Sequence, residues 1–403
     1  MIPATAELRD AGFPGLLRFY REHLTRHVMP FWVERAIDLE HGGVTNIITD
    51  DGRVTSTEKY LWSQGRALFT FASLYNDFDG DPSWLEMAGP IAAFLLRHGR
   101  DDAGRWHFAL HRDGSVSRPP ASVYVDGFAA YGLAEYARAT GDRTALDAAV
   151  QTLRRLGPVL ERHEELPTAP HPIPPRFAAH GVWMMFAMVF DHVGRIGGDD
   201  ALCARAVELA DRVFAWHVHP ELEALLEFVR PGGGYRDDDV GNTLVPGHAI
   251  ESMWFMERVY RGHPRRSERL RAAVDVIRWS LQRGWDDELG GLFLACHLTG
   301  GTPRWHAPDA KVWWPHTEAF VTLLRFFELT GQEWLMEWYW RVHDYAFSRF
   351  PAAAGDWHQN LDRAGRPAPV AVKGLAVKDP FHLPRALIYG IDCLRRLAST
   401  EGV

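Results

Sequence analysis

The stretch GHAIESMWFMERV, residues 247–259, places ionisable side chains on a segment that otherwise looks like protein core. His248, Glu251 and Ser252 recur at helical spacing and share a face with Phe255, whereas the other faces are apolar. Ionisable groups on a buried helix cost free energy unless they are paired or functional. His248 with Glu251 can form a carboxylate-oriented general base, a pair of metal ligands or a buried structural pair. This segment alone leaves all three open.

The rest of the sequence disfavours a metal site. No third ligand stands at a recognisable spacing, the H-E-x-x-H motif is absent, and the His217–His219 pair has no partner motif. Cys203, Cys296 and Cys393 are far apart and form no C-x-x-C, so neither a zinc ribbon nor a disulfide framework is indicated. We therefore predict chemistry that needs no metal, nucleotide or other cofactor.

A second chemical segment lies near the C-terminus, in VKGLAVKDPFHLPRALI, residues 372–388. Pro380 and Pro384 bracket His382 and hold it at the mouth of the last predicted helix. Arg385 follows in the first turn, where a cation opposes the helix dipole. Together with Lys378, these residues are hard to justify as stabilising. They indicate a functional loop.

Two further segments combine tryptophan with charge. In EKYLWSQGRALF, Trp62 and Arg66 lie one helical turn apart, which suits an oxygen-rich ligand, although an arginine paired to a neighbouring carboxylate is the alternative. In KVWWPHTEAF, Pro315 marks a helix start, which predicts that Trp313 and Trp314 lie in the loop before it. Adjacent tryptophans form a natural platform for a sugar ring, and one of the two is expected to plug the protein wall instead.

Composition narrows the class of protein. The chain has 403 residues, is 46% hydrophobic and 24% charged, and carries a net charge of −8, which argues against nucleic-acid and anionic-membrane partners. Its 16 tryptophans suit stacking on sugar rings, although most must fill helix interfaces. No signal peptide or membrane-spanning run is evident, so we expect a cytoplasmic protein, monomeric or homodimeric.

The elements that must position these residues come from a repeat. An aromatic-rich helix ends at a glycine turn and a second helix follows, with marker glycines 57 to 69 residues apart at Gly80, Gly141, Gly198, Gly262 and Gly331. Short Gly- and Asp-rich segments between the pairs predict small hairpins or extended loops at residues 41–54, 104–117, 284–301 and 355–367. About six helix pairs predict an all-α protein, an (α/α)6 barrel with short β-hairpins on its rim, built as one domain over residues 1–403. An open solenoid is the competing architecture.

Taken together, the segments resemble the N-acylglucosamine 2-epimerase family, which includes cellobiose 2-epimerases and mannose isomerases. The matching motifs are QGR, G-H-x-x-E-x-x-W, K-x-W-W-P-H-x-E-A and K-x-x-F-H-x-P-R, spread over nearly the whole chain. The resemblance implies an (α/α)6 barrel with a sugar cleft and cofactor-free proton transfer at C2. It implies the following roles: His248 and His382 as the acid/base pair, Glu251 orienting His248, Arg66 on the reacting oxygens, and Glu318 and Arg385 lining the pocket.

Within the family, the segment GDWHQNLDRAGRP resembles the mannose-isomerase branch, whose loop reads W-H-x-x-L-D. We therefore expect isomerisation of D-mannose to D-fructose, and of D-lyxose to D-xylulose. The alternative is a 2-epimerase of the N-acylglucosamine, mannose/glucose or cellobiose type. Isomerases and cellobiose epimerases carry Asn and then His four residues later, where this chain has Arg176 and His180, unless Met184 is the counterpart of that histidine. The expected substrate-binding residues are Trp62, Tyr124, Asp126, His180, Trp313, Trp314, Glu318, Lys378 and Arg385.

Other classes of function remain to be separated. A glycoside hydrolase on the same barrel would use two carboxylates, for which the candidates are Asp126, Asp238, Glu251 and Glu318. A non-catalytic sugar-binding barrel would keep the tryptophans and need neither histidine. The paired histidines favour proton transfer over both.

Overall fold

The computed structural model describes residues 2–368 and 378–400. This part of the chain is mostly helical and contains fourteen α-helices: α1 (Thr5–Asp10), α2 (Gly12–His23), α3 (Met29–Arg35), α4 (Leu61–Ser73), α5 (Ser83–His98), α6 (Val123–Thr140), α7 (Arg143–Leu160), α8 (His180–Gly197), α9 (Asp200–Arg212), α10 (Pro246–Val259), α11 (Arg266–Gly284), α12 (Trp313–Thr330), α13 (Glu333–Arg349) and α14 (His382–Thr400). Helices α2, α4 and α9 each continue into one π-helical turn, at Leu24–Val28, Leu74–Phe78 and Val213–His217.

The helices pack in pairs, as the repeat predicts. Helix α4 contacts α5, α6 contacts α7, α8 contacts α9, α10 contacts α11, α12 contacts α13, and α14 contacts α2. The first helix of each pair also contacts the first helix of the next, in the order α4, α6, α8, α10, α12 and α14. Helix α14 further contacts α4. We call these six helices the inner helices. Many of their side chains are fully buried.

The marker glycines end helices where the sequence predicts. Gly141, Gly198 and Gly331 directly follow α6, α8 and α12 with φ values of 75°, 63° and 65°. This left-handed conformation is open to glycine without steric cost, so the helix stops there and the chain turns back along its partner.

The strands are short and antiparallel. They are β1 (Ile47–Ile48), β2 (Val54–Ser56), β3 (Lys59–Tyr60), β4 (Ala109–Leu110), β5 (Val116–Arg118), β6 (Ala178–Ala179), β7 (Val218–His219), β8 (Ala224–Leu225), β9 (Phe228–Val229), β10 (Thr243–Leu244), β11 (Cys296–His297), β12 (Lys311–Val312) and β13 (Asn360–Leu361). They pair as β1–β2, β3–β4–β5, β6–β9, β7–β8, β10–β11 and β12–β13.

Two of the four predicted hairpins are confirmed, β1–β2 and β4–β5. The other two segments close on themselves only through the isolated antiparallel bridges Trp285–Leu292 and Leu361–Pro367, and their strands pair outside the segment. Strand β11, in segment 284–301, pairs with β10, and β13, in segment 355–367, pairs with β12. In both cases the partner is the strand that leads into an inner helix, so strand pairing serves to hold the beginnings of α10 and α12.

Most inner helices begin directly after a strand. Strands β3, β6, β10 and β12 immediately precede or lie within two residues of α4, α8, α10 and α12. The N-terminal turns of the inner helices are therefore tied together by the small sheets. Within the described residues, no helix is long and apolar enough to cross a lipid bilayer.

Candidate active site

A cavity of about 750 Å³ opens among the first turns of the inner helices. All six contribute to its wall, through Trp62 and Arg66, Tyr124 and Phe128, Gly181 with Met184, Met185 and Met188, His248 with Glu251 and Phe255, Trp314, and His382 with Arg385. Loops add the proline-rich segment 170–175 and the segment 304–306. The cavity thus unites the four segments whose chemistry the sequence singles out.

The polar stripe of α10 faces this cavity. His248, Glu251 and Phe255 all line it, which accounts for ionisable side chains on a helix that is otherwise core. His248 keeps 23% of its side chain exposed, whereas Glu251 keeps 6%.

The carboxylate that contacts His248 is Glu227. Its Oε2 lies 3.0 Å from His248 Nδ1, and the Glu227 side chain is only 3% exposed. The prediction that Glu251 orients His248 is therefore wrong. Because Nδ1 is engaged, Nε2 of His248 is the ring nitrogen left for proton transfer.

Strand pairing brings Glu227 to its place, 21 residues before His248. The Glu227 carbonyl accepts a 2.8 Å hydrogen bond from the His180 N–H at the start of α8, next to the β6–β9 pair. His180 Nδ1 also lies 3.7 Å from Glu227 Oε2. Glu227 is not among the residues predicted from the sequence. Its signal is a lone acid within the apolar run ALLEFV, where an unpaired charge would be costly.

The second histidine belongs to a buried network at the start of α14. His382 Nδ1 lies 2.8 Å from Glu318 Oε1, and the same oxygen accepts a 2.7 Å bond from Arg385 Nη2. Arg385 Nη2 also donates to Glu251 Oε1 at 2.5 Å. Trp254 Nε1 donates to Glu318 Oε2 at 3.0 Å. Glu251 therefore belongs to the His382 side of the site.

These surroundings set the two histidines apart electrostatically. Burial lowers the pKa of His248, but the Glu227 carboxylate outweighs it and the net shift is upward. Burial also lowers the pKa of His382, and since Arg66 and Arg385 oppose the effect of Glu318, that pKa falls to about 4. The raised pKa makes His248 the better proton donor of the two, and the lowered pKa makes His382 the better proton acceptor.

The carboxylates of the His382 network also differ. Burial and the charge of Glu318 raise the pKa of Glu251. Burial likewise opposes ionisation of Glu318, but Arg385 and His382 outweigh it and lower the pKa of Glu318. Glu318 is the ionised partner that holds His382 in place.

Aromatic rings and a second arginine complete the wall. The Trp314 ring centroid lies 5.0 Å from that of His248 and 5.8 Å from that of His382, so one indole packs beside both imidazoles. The Arg66 guanidinium lies 4.0 Å from the Phe128 ring centroid, and its Nη1 is 3.3 Å from Asp379 Oδ2. Arg66 thus presents a fixed cation to the cavity.

Several predicted substrate-binding residues lie behind the wall instead of on it. His180 and Glu318 are completely buried and contact Glu227 and His382. Trp313 is buried too, the wall-plugging member of its pair. Both tryptophans belong to α12, because the helix begins at Trp313 instead of at Pro315 as predicted.

Asp126 and Lys378 are paired structurally, which corrects their prediction as substrate-binding residues. Asp126 forms an ion pair with Arg155. Lys378 Nζ lies 2.9 Å from Asp50, 3.1 Å from Asp356 and 2.7 Å from the Trp357 carbonyl. Neither residue lines the cavity. The first part of the predicted functional loop, residues 372–377, lies outside the described residues.

The positions of Arg176, His180 and Met184 show which of the three side chains faces the cavity. Met184, one turn into α8, lines the cavity, whereas Arg176 and His180 do not. Met184 therefore occupies the place from which a side chain on this helix can reach a substrate.

Glu251, Glu318 and His382 lie close enough together to be considered as metal ligands. The Arg385 guanidinium, however, lies 2.5 Å and 2.7 Å from oxygens of the two carboxylates. The positive charge that a metal would supply is already present there as a side chain. The donor set fits an arginine-neutralised acid pair better than a cation site.

The same contacts argue against glycoside hydrolysis. A hydrolase needs two carboxylates that face one glycosidic bond from opposite sides. Here Glu251 and Glu318 share one guanidinium, Asp126 is paired with Arg155, and Asp238 is paired with Arg236. The histidines, each with its own carboxylate, are the groups arranged for proton transfer.

Comparison with known proteins agrees with this geometry. The model of the N-acylglucosamine 2-epimerase family matches residues 42–383. The N-acylglucosamine 2-epimerase of Bos taurus is 30% identical over 399 residues, which cover 95% of this chain and 93% of that protein. Among solved structures, cellobiose 2-epimerase from Spirochaeta thermophila aligns with a TM-score of 0.82 at 23% identity, covering 97% and 99% of the two chains. A D-mannose isomerase aligns with a TM-score of 0.75 at 17% identity, covering 95% and 98%.

The sequence identities to these two structures are too low to compare activities, so the two structures support the fold alone. The family match and the bovine relative bear on chemistry, and they favour a 2-epimerase over the mannose isomerase expected from the W-H-x-x-L-D segment. The chain belongs to the N-acylglucosamine 2-epimerase family and is an enzyme of the isomerase class that acts on carbohydrates.

Proposed function

We propose that the protein is a carbohydrate 2-epimerase that interconverts N-acylglucosamine and N-acylmannosamine. The observation that carries the proposal is a pair of histidines in one cavity, each hydrogen-bonded at Nδ1 to its own buried carboxylate, His248 to Glu227 and His382 to Glu318. The choice of sugar rests on the bovine relative, whose name gives that activity and which covers nearly the whole chain.

In the proposed mechanism the sugar reacts in its open-chain form. The C2 proton is then adjacent to the aldehyde, and its removal leaves an enolate whose charge rests on O1. Neutral His382 accepts the C2 proton on one face, and protonated His248 returns a proton to C2 on the other face, which inverts that carbon. In the reverse direction the two histidines exchange roles. Arg66 offers its guanidinium to the developing negative charge on oxygen.

The difference between the two sites suits this division of work. His382 has the lower pKa, because burial and two arginines disfavour its protonated form, and it is available as a base at neutral pH. His248 has the higher pKa, since Glu227 favours its protonated form, and it is available as an acid. Glu227 and Glu318 act as positioning residues through the imidazoles they contact.

We further propose that the six helix pairs close into an (α/α)6 barrel within a single domain. Support comes from α14, which contacts α12 on one side and α4 on the other. A single buried apolar cluster, extending from Leu8 to Leu397, supports the domain assignment.

The substrate test incubates the protein, dialysed against EDTA, with N-acetylmannosamine, N-acetylglucosamine and mannose in separate reactions, with the products identified by NMR. We expect the two N-acetyl sugars to interconvert without added metal or nucleotide. Fructose from mannose, with both N-acetyl sugars unchanged, would overturn the proposed substrate in favour of the isomerase. Activity that is lost on EDTA dialysis and restored by a divalent ion would overturn metal independence.

A further inference from the structure

A short stretch of chain at the start of α14 contacts both arginines of the cavity wall. Asp379 Oδ2 accepts a hydrogen bond from Arg66 Nη1 at 3.3 Å. The Phe381 ring centroid lies 4.9 Å from the guanidinium carbon of Arg66 and 4.3 Å from that of Arg385. The same stretch contains His382, the base of the proposed mechanism. The position of Arg66 relative to this base is therefore set by two residues that directly precede it in the chain.

Asp379 holds Arg66 from a buried position. The Asp379 side chain is 6% exposed, whereas that of Arg66 is 18% exposed. Asp379 Oδ2 also accepts a 3.1 Å hydrogen bond from Ser63 Oγ, so the carboxylate is tied twice to α4, the helix that carries Arg66. In the part of the chain that the structure describes, no other carboxylate forms an ion pair with Arg66.

Two aromatic rings hold the same guanidinium by weaker contacts. Its carbon lies 4.0 Å from the Phe128 ring centroid and 4.9 Å from that of Phe381, and the two rings are themselves in contact at 5.6 Å. Cation–π contacts keep a guanidinium near a ring but do not select a direction for its N–H groups, whereas a hydrogen bond does. The direction of the Arg66 N–H groups therefore depends on Asp379.

We propose that Asp379 is a positioning residue that acts through Arg66, holding this cation where the reacting oxygen of the substrate becomes negative. The proposal rests on the proposed function, since it assumes that charge develops on O1 when His382 removes the C2 proton. A guanidinium aligned before the reaction stabilises that charge without reorganising, and a displacement of about 1 Å can cost about 10²-fold in rate. Asn at position 379 keeps the size of the side chain and removes the charge that holds Arg66.

The test is a double-mutant cycle on kcat and KM for N-acetylmannosamine. Arg66→Met should lower kcat by about 10² or more, and Asp379→Asn by about tenfold or more. KM should change less than kcat, because the contact strengthens as the charge develops. Asp379→Asn added to Arg66→Met should cause no further loss, since the residue that Asp379 positions is then absent. An equal loss in both backgrounds, or no loss in either, would overturn the proposal.

The pH dependence of kcat/KM gives a second readout with a definite sign. Arg66 is one of two cations that, after burial, lower the pKa of His382. The charged groups that face His382 come from four inner helices: Arg66, Glu251, Glu318 and Arg385. If Asp379→Asn frees Arg66 to move away, the pKa of His382 rises and the acid limb of the profile moves to higher pH. A limb that stays in place or moves to lower pH would show that Arg66 keeps its position without the carboxylate, which would overturn the proposal.

Asp191→Asn is the matched control. Asp191 is also a buried carboxylate on an inner helix, its Oδ1 lies 2.8 Å from Arg195 Nε, and it does not line the cavity. This variant should lose stability but keep the kcat and the acid limb of the unchanged protein. Should Asp379→Asn not fold, Asp379→Glu keeps the charge and displaces it by one CH₂, so it should lower kcat about tenfold as well. An unchanged kcat in Asp379→Glu would then overturn the proposal.

The outcomes separate this proposal from the proposed function. Turnover of N-acetylmannosamine by the unchanged protein, with variants that fail the cycle, would overturn the role of Asp379 and leave the function intact. Failure of the unchanged protein to turn over N-acetylmannosamine would overturn the proposed function itself.

Discussion

The two histidine sites share one design and differ in what surrounds the carboxylate. Glu227 has His248 as its cationic partner and His180 beside it, and burial together with His248 keeps the pKa of His180 low despite Glu227. Glu318 serves His382 and Arg385 at once. Glu227 outweighs burial and raises the pKa of His248, whereas at His382 burial, with Arg66 and Arg385, outweighs Glu318 and the pKa falls. The comparison teaches that a hydrogen-bonded carboxylate does not by itself set an imidazole pKa, because burial and nearby cations can outweigh it.

The largest expected effect is the loss of either imidazole. His248→Asn and His382→Asn should each lower kcat/KM by about 10³ or more, because each removes one of two proton carriers. His343→Asn is the matched control, since His343 is a fully buried histidine on α13 with a pKa lowered by burial and outside the cavity lining. Its variant should keep its activity per folded molecule. Near-normal activity in either catalytic variant would remove the basis for two-histidine chemistry.

Substitution of Glu318 should mainly lower stability, whereas substitution of Glu227 should mainly change the pKa of His248. Glu318→Gln leaves the buried Arg385 with Glu251 alone and should cost about 3 kcal/mol in the free energy of unfolding. Glu227→Gln leaves a neutral imidazole and should cost under about 1.5 kcal/mol. In Glu227→Gln the pKa of His248 should fall, which moves the alkaline limb of the kcat/KM profile to lower pH by roughly one unit or more.

Chemical denaturation and pH–rate profiles check these expectations. Equal stability losses in the two variants would contradict the distinct role of Arg385. An alkaline limb that does not move in Glu227→Gln would contradict the assignment of Glu227 to His248.

The groups that face the cavity can be predicted from the sequence more readily than the groups behind them. His248 and His382 were detectable because a polar residue on an apolar helix, or between two prolines, conflicts with its surroundings. Glu227 cannot be predicted in this way, because β6–β9 pairing brings it to His248 from another segment. Local periodicity carries no information about such pairing. Glu251 was assigned to His248 by proximity along the helix, although the tertiary fold turns it to Arg385.

Lys378 shows why a plausible binding residue can be structural. Lys59 lies 2.9 Å from Asp38, Lys311 lies 3.1 Å from Asp286, and Lys378 lies 3.1 Å from Asp356. The same buried Lys–Asp pair thus recurs ahead of α4, α12 and α14, as the repeat would require. The helix pairs could be predicted from the glycine spacing. The Lys–Asp ion pairs could not, because they join residues about 20 positions apart that no helical period connects.

Acid stability offers a smaller effect with a definite sign. The pKa of His382 is about 4 in the folded protein and about 6.5 when unfolded, so the unfolded chain binds the proton more readily between these values. This contribution destabilises the fold as pH falls from 6.5 towards 4. His248 has a raised pKa, so its contribution is fully present below about pH 6.5 and is lost as pH rises through its folded value.

Between pH 6 and pH 5, His382 should lower the free energy of unfolding by about 1 kcal/mol. His382→Asn should show a correspondingly shallower decline across that interval, measured by urea denaturation at each pH. Identical pH slopes in the two proteins would contradict a depressed pKa at His382.

The smallest effect on catalysis is expected at Lys378. Lys378→Met leaves the carboxylates of Asp50 and Asp356 without this cation and should lower the melting temperature, while KM stays within about twofold because the residue does not line the cavity. A large rise in KM with unchanged stability would restore Lys378 as a substrate-binding residue.

The central claim is that two histidines exchange different protons with C2 from opposite faces. Its most direct test is turnover of N-acetylmannosamine in D₂O, stopped at low conversion and analysed by NMR at C2 of both sugars. Two-histidine chemistry predicts that the product N-acetylglucosamine carries deuterium at C2, while recovered N-acetylmannosamine retains its hydrogen. A single shared base would label both sugars alike or return the original hydrogen to the product, and either result would contradict the account.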